Sequence, residues 1–249
     1  MIPKIIHYCW FGGKPLPKLA EKCIASWKRF CPGYEIKQWN ETNFDVQKYA
    51  YSREAYAAKK WAFVSDCARF EILYKEGGIY FDTDVELIKP LQDIIERGPF
   101  MGAESDGTSN LGIAVAPGLG MGVPTGLPLC RELTEVYEHI HFLHADGKTD
   151  VENVKTVVAY VTELLYKKGL QNKSGLQQVD GIYIYPKEYF NPKDLATHQL
   201  FITPNTHAIH HYDGSWVSGK NKIKKWFNKQ FGRYTFYANL KAWWKRKTK

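Results

Sequence analysis

Four charged side chains at short spacings are the residues of this sequence best suited to chemistry. Asp66 and Arg69 are three positions apart, and Asp82 and Asp84 have one residue between them. On a helix, positions i and i+3 share a face, so the first pair would present a carboxylate and a guanidinium together. Two aspartates are hard oxygen ligands that suit Mg²⁺ or Mn²⁺, above all when phosphate oxygens complete the shell. The pattern therefore predicts a site for a metal and a phosphorylated ligand.

A helix followed by a buried strand is predicted to position these side chains. The apolar stripe of the helix ends near Tyr74, and Gly77-Gly78 can supply a left-handed stop. The apolar run at 79–81 then predicts a short buried strand. Both aspartates would lie near its carboxyl end and point to one side, since side chains two apart on a strand share a face. That edge of an α/β sheet is where such folds bind ligands.

The length and composition are those of a folded globular protein. The chain has 249 residues, of which 44% are hydrophobic and 24% charged, which is long enough for one sizeable domain with a full core or for two small ones. The sequence has no run of about 18 apolar residues, so no membrane-spanning helix is predicted. The N-terminus is a poor signal peptide, because its apolar run is short and no small-residue cleavage site follows. Five scattered cysteines without a C-x-x-C pair predict neither disulfides nor a zinc site, and favour a reducing cytoplasm.

The excess of positive charge lies entirely at the C-terminal end. The net charge is +8, yet residues 214–249 contain eleven Lys and Arg and no acid, which leaves residues 1–213 with a net charge of −3. A basic tail favours an anionic partner that the body need not share. We therefore predict two parts, a domain at 1–217 and a basic aromatic tail at 218–249 that forms an amphipathic helical extension.

Strands and helices are predicted to alternate along the domain. Strands are expected at 2–9, 34–39, 79–81, 111–116, 182–185 and 206–211, and helices at 17–30, 46–76, 128–144 and 151–168. This alternation argues for a sheet with helices on its faces. Residues 99–128 are rich in Gly and Pro, and a long irregular segment inside a domain suggests a working surface.

The paired aspartates by themselves do not determine a function. Two Asp at this spacing often cap a turn or face solvent. The segment FDTDVE also fits the aspartyl-phosphatase pattern, in which Asp82 would attack phosphate and Asp84 would be the acid and base. That pattern normally lies on the first strand and has a further Asp pair downstream, which is not found here. A phosphatase therefore stays as the alternative enzyme.

The run S-D-x-x-R-x-x-x-L-x-x-x-G-G-x-Y-x-D-x-D at 65–84 resembles the DXD region of retaining glycosyltransferases. It is similar to the family-32 capsule, lipopolysaccharide and yeast mannosyltransferase-like enzymes, and more distantly to the glucosylating domains of large clostridial toxins. The opening IPKIIHYCWFGG at 2–13 resembles the family's first strand and nucleotide loop. The late IHHYDGSW at 209–216 resembles its closing motif. The resemblance implies a GT-A fold, a Rossmann-like mixed sheet flanked by helices that binds a nucleotide sugar.

The resemblance also implies roles for individual residues. Asp84, and less directly Asp82, would meet the divalent ion, Mn²⁺ or Mg²⁺, that bridges the donor diphosphate. Asp66 and Arg69 would bind the hydroxyls of the donor sugar, with Arg69 also near phosphate. The resemblance further implies that Trp10 lies against the nucleotide base, beside the backbone of Tyr8 and Cys9, and that Asn40 contacts the nucleotide. Ser215 and Trp216 would close over the diphosphate. The residues implied near the acceptor or the anomeric carbon are Glu104, Asp106, Ser109 and Asn110.

The histidines could be structural residues or ligands. A His in a late strand is more often structural. However, His211-x-x-Gly214 resembles the H-x-x-G of related retaining GT-A enzymes, in which the His completes the metal shell. His211 is therefore the predicted third metal ligand and His210 its fallback. His7 is expected to be a strand residue near the nucleotide.

The tail mixes Lys and Arg with bulky aromatics, which suits an interfacial helix on an anionic bilayer. A helix packed on the domain is the alternative. Nucleic-acid binding is not expected, because the acidic body supplies no basic groove. We therefore expect a peripheral protein on the inner face of the plasma membrane. A non-catalytic membrane adaptor is the second alternative function.

The resemblance implies transfer of a hexose with retention, from a UDP-sugar in preference to GDP-mannose. The acceptor would be a saccharide or a polyprenyl-diphosphate-linked saccharide in capsule or lipopolysaccharide synthesis. No carboxylate stands out as a nucleophile. A front-face displacement, in which the leaving phosphate assists the acceptor hydroxyl, is therefore the working hypothesis.

Overall fold

The computed structural model describes residues 1–107, 112–144, 147, 154–194, 197 and 199–213. The strands are β1 (Ile5–Cys9), β2 (Glu35–Trp39), β3 (Gly78–Tyr80), β4 (Val85–Leu87), β5 (Phe100–Asp106), β6 (Ile113–Val115), β7 (Met121–Val123), β8 (Gln177–Val179), β9 (Ile182–Tyr185) and β10 (Ala208–His210). The helices are α1 (Lys18–Phe30), α2 (Ala50–Ala57), α3 (Trp61–Glu76), α4 (Gln92–Arg97), α5 (Pro128–Glu138), α6 (Val157–Lys167) and α7 (Lys187–Phe190), with a 3₁₀ turn at Pro117–Leu119.

A mixed sheet forms the centre of the domain. Within the described residues, eight strands build it in the order β2-β1-β3-β7-β5-β9-β8, with β6 paired to β5. β1 is parallel to both β2 and β3, whereas β7 runs antiparallel between β3 and β5. β4 and β10 form a separate antiparallel pair. Helices cover the sheet, so the predicted fold class is confirmed.

The sheet is buried on both faces. Successive residues of β3 and the position after it alternate between two clusters: Ile79 and Phe81 pack with α1, α4 and α7, and Tyr80 packs with α2, α3, α5 and α6. All three side chains are at most 1% exposed. This alternation is what a strand with helices on both faces requires, and it explains why the run at 79–81 is continuously apolar.

Helix α1 fixes the strand that follows the two aspartates. Its buried stripe ends in Trp27, whose indole N–H donates to the carbonyl of Val85 at 2.7 Å. One residue earlier, the hydroxyl of Ser26 accepts the N–H of Leu87 at 2.9 Å. Both ends of β4 are thereby bonded to one turn of α1.

The predicted helix at 46–76 is two helices in the structure. The chain breaks after α2 at Lys59, which has a left-handed backbone (φ 57°), and it restarts at Trp61. The rings of Tyr56 and Trp61 pack edge to face across this break. As predicted, α3 ends at a left-handed glycine, Gly77, where a Cβ would lie 2.7 Å from the backbone nitrogen of Thr125.

All five cysteines are buried and free of disulfides. Burial raises the pKa of Cys9, Cys23 and Cys130 to about 12, so these thiols are unreactive near neutral pH. Over the residues that the structure covers, no helix has the length and hydropathy needed to cross a membrane. The predicted domain boundary at 217/218 and the tail lie outside the described residues.

Candidate active site

Asp66 and Arg69 lie side by side on α3, as their spacing predicts. The Nη2 atom of Arg69 is 2.6 Å from Asp66 Oδ1, and its Nε donates to the carbonyl of Ser65 at 3.2 Å. Only 3% of the Arg69 side chain is exposed. Burial raises the pKa of Asp66 to about 7, although the Arg69 charge acts in the opposite direction. The pair is thus held rigidly in a largely dry environment.

Arg69 also connects the helix to the first aspartate. Its Nη2 atom lies 3.3 Å from Asp82 Oδ1, and its guanidinium carbon stands 4.7 Å above the ring of Tyr80. The Tyr80 hydroxyl donates to the same Asp82 oxygen at 3.2 Å. Burial alone would lower the pKa of Arg69, but the charges of Asp82 and Asp66 raise it, so the guanidinium stays protonated. One cation therefore holds two carboxylates, with an aromatic ring beneath it.

The two aspartates lie in a turn and not on the strand itself. β3 ends at Tyr80, and the N–H of Val85 closes the turn on the carbonyl of Asp82 at 3.1 Å. Different segments hold the two backbones: Asp82 N–H donates to the carbonyl of Gly118, and the carbonyl of Asp84 accepts the N–H of His211. Because both aspartates lie in this turn, the alternation of side chains along a strand does not set their directions, although both side chains do line one cleft.

The histidine that meets Asp84 is His210. Its Nε2 lies 3.2 Å from Asp84 Oδ2, and the N–H of Asp213 donates to the same oxygen at 3.0 Å. Burial alone would raise the pKa of Asp84, but His210 and the Asp213 N–H lower it to about 2. Asp84 is thus ionised at all ordinary pH values, as a metal ligand must be.

The predicted metal ligand His211 lies elsewhere. Its Nε2 is 2.8 Å from Glu86 Oε2, which also pairs with Lys22 at 2.7 Å, and His211 is not among the residues that line the cleft. Side chains alternate along β10 and its extension, so adjacent histidines point to opposite sides. The prediction of His211 as third ligand does not agree with this placement, and the fallback His210 occupies the position beside Asp84.

A cleft of about 1570 Å³ lies in front of these residues. The four charged residues line it together with His210, Gly118 and several residues of α6, and Gly118 lies directly against Asp82. Gly118 permits this closeness, because a Cβ there would lie 1.8 Å from Asp82 Oδ2. A cleft of this size admits a nucleotide sugar and part of an acceptor.

The loop after β1 contributes only part of the predicted nucleotide site. Cys9 and Trp10 line the cleft, and the Trp10 indole N–H donates to the carbonyl of Lys14. Tyr8 does not line the cleft: its ring packs on Trp27 in the core, and its hydroxyl donates to Gln38. The Tyr8 side chain therefore serves packing, and its strand positions the loop.

Asn40 likewise serves its own loop. Its side-chain oxygen accepts the N–H and the hydroxyl of Thr42, and it is not a cleft residue. The neighbouring Glu41 lines the cleft instead and accepts the N–H of Gly12. Gly12 has φ 93° and lies against Trp61, so the loop after β1 rests on the first turn of α3.

His7 is a buried strand residue. The indole N–H of Trp39 donates to its Nδ1 at 3.0 Å, which leaves Nε2–H to donate to the carbonyl of Gly77 at 2.9 Å. Burial lowers the pKa of His7, so it stays neutral. His7 therefore ties β1 to the stop of α3 and lies away from the chemistry.

Two further acidic and aromatic side chains complete the cleft wall. The resemblance alone places Glu104 near the reaction centre, and it does line the cleft, where burial raises its pKa. Tyr212 is not predicted from the sequence: its hydroxyl lies 3.4 Å from Glu104 Oε1, and its ring centroid lies 3.9 Å from that of His210. Only the proximity of Tyr212 to the histidine pair in sequence points to it. Ser109, Asn110, Ser215 and Trp216 lie outside the described residues.

Two buried nitrogen atoms in the cleft wall lack a protein partner. The described residues have four buried side-chain atoms without a hydrogen bond, and two of them, Arg69 Nη1 and His210 Nδ1, belong to residues that line the cleft. Leaving such donors unsatisfied is costly, so both indicate that a polar ligand completes the site.

The donor set fits a divalent cation. Within the described ranges no three His, Cys, Asp or Glu side chains form a ready-made metal cluster. Asp82 and Asp84 nevertheless supply carboxylate oxygens that line the same cleft, which suits an ion that takes its other ligands from water or phosphate.

Comparison with known proteins agrees with this geometry. Residues 17–101, which run from the start of α1 into β5, match the family described as the glycosyltransferase sugar-binding region containing DXD motif. Inositol phosphoceramide mannosyltransferase 1 of Schizosaccharomyces pombe is 26% identical over 125 residues, which cover 47% of this chain and 39% of that protein. The uncharacterized glycosyltransferase L373 of Acanthamoeba polyphaga mimivirus is 33% identical over 112 residues, covering 41% and 43% of the two chains.

The chain spans about two fifths of the length of these curated relatives. Among solved structures, the PaToxG glycosyltransferase superposes with a TM-score of 0.50 over 68% of this chain and 70% of its own, at 20% identity. That likeness shows the fold, which is GT-A. Residues 17–101 thus match the sugar-binding region of the DXD glycosyltransferases, within a chain that has a GT-A fold.

Proposed function

We propose that this protein is a metal-dependent retaining glycosyltransferase that moves a hexose from a nucleotide sugar to a saccharide or lipid-linked acceptor. The observation that carries the proposal is the line of contacts from Asp66 through Arg69 to Asp82, which shares one cleft with Asp84. This arrangement supplies charges for sugar hydroxyls, for phosphate and for a cation.

The cation, Mn²⁺ or Mg²⁺, would be held by Asp82 and Asp84 together with the donor diphosphate. When bound, it would supply charge neutralisation for the departing nucleoside diphosphate. The unpartnered Nη1 of Arg69 supports a role on a sugar or phosphate oxygen. Trp10 would cover the nucleotide base, and Ser215 and Trp216 would close over the diphosphate.

In the proposed reaction the bond between the anomeric carbon and the phosphate oxygen breaks, and a bond to the acceptor oxygen forms on the same face. The acceptor proton passes to the leaving phosphate oxygen. Asp66 and Arg69 orient the sugar for this step. Because both are buried and bonded to each other, they lose little freedom when the donor binds.

The donor preference is for a UDP-sugar. Two of the relatives are named inositol phosphoceramide mannosyltransferases, so GDP-mannose is the second donor to test. Their names also agree with an acceptor at a membrane. We propose that the basic tail holds the enzyme on the anionic inner face of the plasma membrane, where it would extend a polyprenyl-diphosphate-linked saccharide for capsule or lipopolysaccharide.

A phosphatase is less well supported. The aspartyl-phosphatase pattern normally has a further Asp pair downstream, which is not found in this sequence, and residues 17–101 match the glycosyltransferase sugar-binding region instead. A purely non-catalytic adaptor does not account for the family match or for the charged residues that line the cleft.

The deciding experiment is a panel of UDP- and GDP-sugars, measured for thermal shift and slow donor hydrolysis with Mn²⁺ and with EDTA. One nucleotide class should stabilise the protein only with metal. Asp84→Ala should abolish that shift, while the control Asp93→Asn, at an exposed site away from the cleft, should retain it. If no nucleotide sugar binds, or if Asp84→Ala binds as well as wild type, the proposal is wrong.

A further inference from the structure

Three consecutive apolar side chains project into solvent between α7 and β10. Leu200, Phe201 and Ile202 are 48%, 58% and 56% exposed. Single exposed apolar residues are common, whereas an adjacent group of three marks an interaction surface. We call Leu200–Ile202 the apolar loop.

The apolar loop is held outward by hydrogen bonds on both sides. Phe201 N–H donates to the carbonyl of Pro192 at 3.0 Å, and Lys193 and Leu200 form an isolated antiparallel bridge. After the loop, the Thr203 hydroxyl donates to Glu188 at 2.9 Å. The exposure is therefore fixed by the backbone and does not result from a loose segment.

The apolar loop lies close to the last described residues that precede the basic tail. Lys193, which bridges Leu200, donates through Nζ to the carbonyl of His211 at 3.0 Å. Two residues later, after Asp213, the described chain ends, and the 36 residues that follow contain eleven Lys and Arg and no acid. One lysine side chain thus connects the apolar loop to the last described residues before the basic tail.

We infer that the apolar loop inserts into the surface of an anionic bilayer beside the basic tail. This rests on the membrane attachment proposed above and adds a second, apolar contact to it. Cations near an anionic surface supply attraction, and apolar side chains supply insertion into the boundary between headgroups and acyl chains. With both contacts, the loop and the start of the tail face the same membrane.

The size and charge of the surface favour a bilayer over a protein partner. Three side chains bury far less than the ~800 Å² per partner of a stable protein interface. The two acids beside the loop, Glu188 and Asp194, already accept hydrogen bonds from Thr203 and Thr197, and the basic residues of the tail greatly outnumber them.

The test uses an environment-sensitive NBD label at Phe201→Cys in the full chain. The five native cysteines are buried, so the introduced thiol is labelled selectively. Gln47→Cys, exposed just before α2 on the opposite face of the sheet, is the matched control. With vesicles of phosphatidylcholine containing 30 mol% phosphatidylglycerol, NBD emission should shift to the blue and rise at least twofold at position 201 and stay unchanged at 47. Pure phosphatidylcholine should have a much weaker effect.

A second variant measures how much the apolar loop contributes. Leu200→Ser, Phe201→Ser and Ile202→Thr together should lower flotation with the anionic vesicles at least fivefold and leave metal-dependent donor hydrolysis unchanged. If the labelled protein floats with the vesicles but the NBD emission at position 201 does not change, the tail binds alone and the inference is wrong. A blue-shifted label without vesicles would mean that the tail or a second copy covers the loop, which also overturns it. Donor hydrolysis is measured separately, so failure of this inference and failure of the proposed function are distinguishable.

Discussion

The carboxylate of Asp82 lies directly against the α-carbon of Gly118. A Cβ on Gly118 would come within 1.8 Å of Asp82 Oδ2 and 2.9 Å of Arg69 Nη1. Backbone contact reinforces the approach, since Asp82 N–H donates to the carbonyl of Gly118 at 2.8 Å. The 3₁₀ turn thus acts as a wall that fixes where the first aspartate can point.

Gly118→Ala is expected to displace Asp82 and Arg69 together. Overpacking of this kind typically costs about 1–3 kcal/mol of unfolding free energy, and metal-dependent donor affinity should fall at least tenfold. The measurements are a urea denaturation curve and a donor titration with Mn²⁺. Gly126→Ala is the control: its Cβ has open space, but φ is 75°, so it should lower stability alone. Unchanged donor affinity in Gly118→Ala would mean that the wall is not needed.

Arg69→Lys is expected to keep the positive charge but to lose the contacts that hold the site in place. A lysine ammonium has no second nitrogen to replace Nη1 or the Nε–H that donates to Ser65, and it cannot lie flat over Tyr80. Turnover should fall by about 100-fold or more, as for loss of a preorganised charge, and the thermal midpoint should drop. Arg29→Lys, at an exposed position on α1, is the control and should change neither. Near-normal turnover in Arg69→Lys would contradict the proposed role.

Substitutions of the two adjacent histidines should have very different effects on metal-dependent donor binding. His210 meets Asp84 inside the cleft, whereas His211 meets Glu86 outside it. His210→Ala should therefore weaken Mn²⁺-dependent donor binding at least tenfold, and His211→Ala should change it less than twofold. Isothermal titration of Mn²⁺ with donor present measures both. The reverse order would support His211 as the metal ligand and would argue against the placement in this structure.

Glu71 should show a pH-dependent contribution to stability away from the cleft. Burial alone would raise its pKa, but hydrogen bonds from Lys48, Lys75 and Tyr49 lower it below the ordinary value. A depressed carboxyl stabilises the fold above its unfolded pKa of about 4.3, and that stability is lost as the pH falls through the lower folded pKa. Glu71→Gln should therefore cost about 1–2 kcal/mol at pH 7, with a smaller difference below about pH 4.

The control for this pH effect is Glu76→Gln. Glu76 pairs with Lys37, and both side chains are partly exposed. Its replacement should cost less than about 0.5 kcal/mol. If the difference between Glu71→Gln and wild type is the same at pH 7 and pH 3, packing and not charge explains the effect.

The sequence was sufficient to predict features that depend on local spacing. Asp66 and Arg69 meet because three residues make nearly one helical turn, and α3 ends at Gly77 because only a residue tolerant of a left-handed backbone fits there. The fold class is likewise predictable, because the alternation of strands and helices is visible in local sequence patterns.

Features that depend on packing between distant segments could not be predicted in this way. The bond between Arg69 and Asp82 and the wall at Gly118 arise only when the sheet brings residues far apart in sequence together. The choice between His210 and His211 depends on the register of a three-residue strand, where a shift of one position reverses every side chain. The sequence has no Gly or Pro at the break at Lys59, so this break could not be predicted.

The two aspartates are anchored to different parts of the chain, Asp82 through the 3₁₀ turn and Asp84 through the segment after β10. The gap between their carboxylates is therefore a property of how those parts are docked and not of the turn that joins them. A substitution at either docking surface could change the ion that the gap prefers while both aspartates stay intact, which gives natural variation a way to alter metal preference without touching the motif itself.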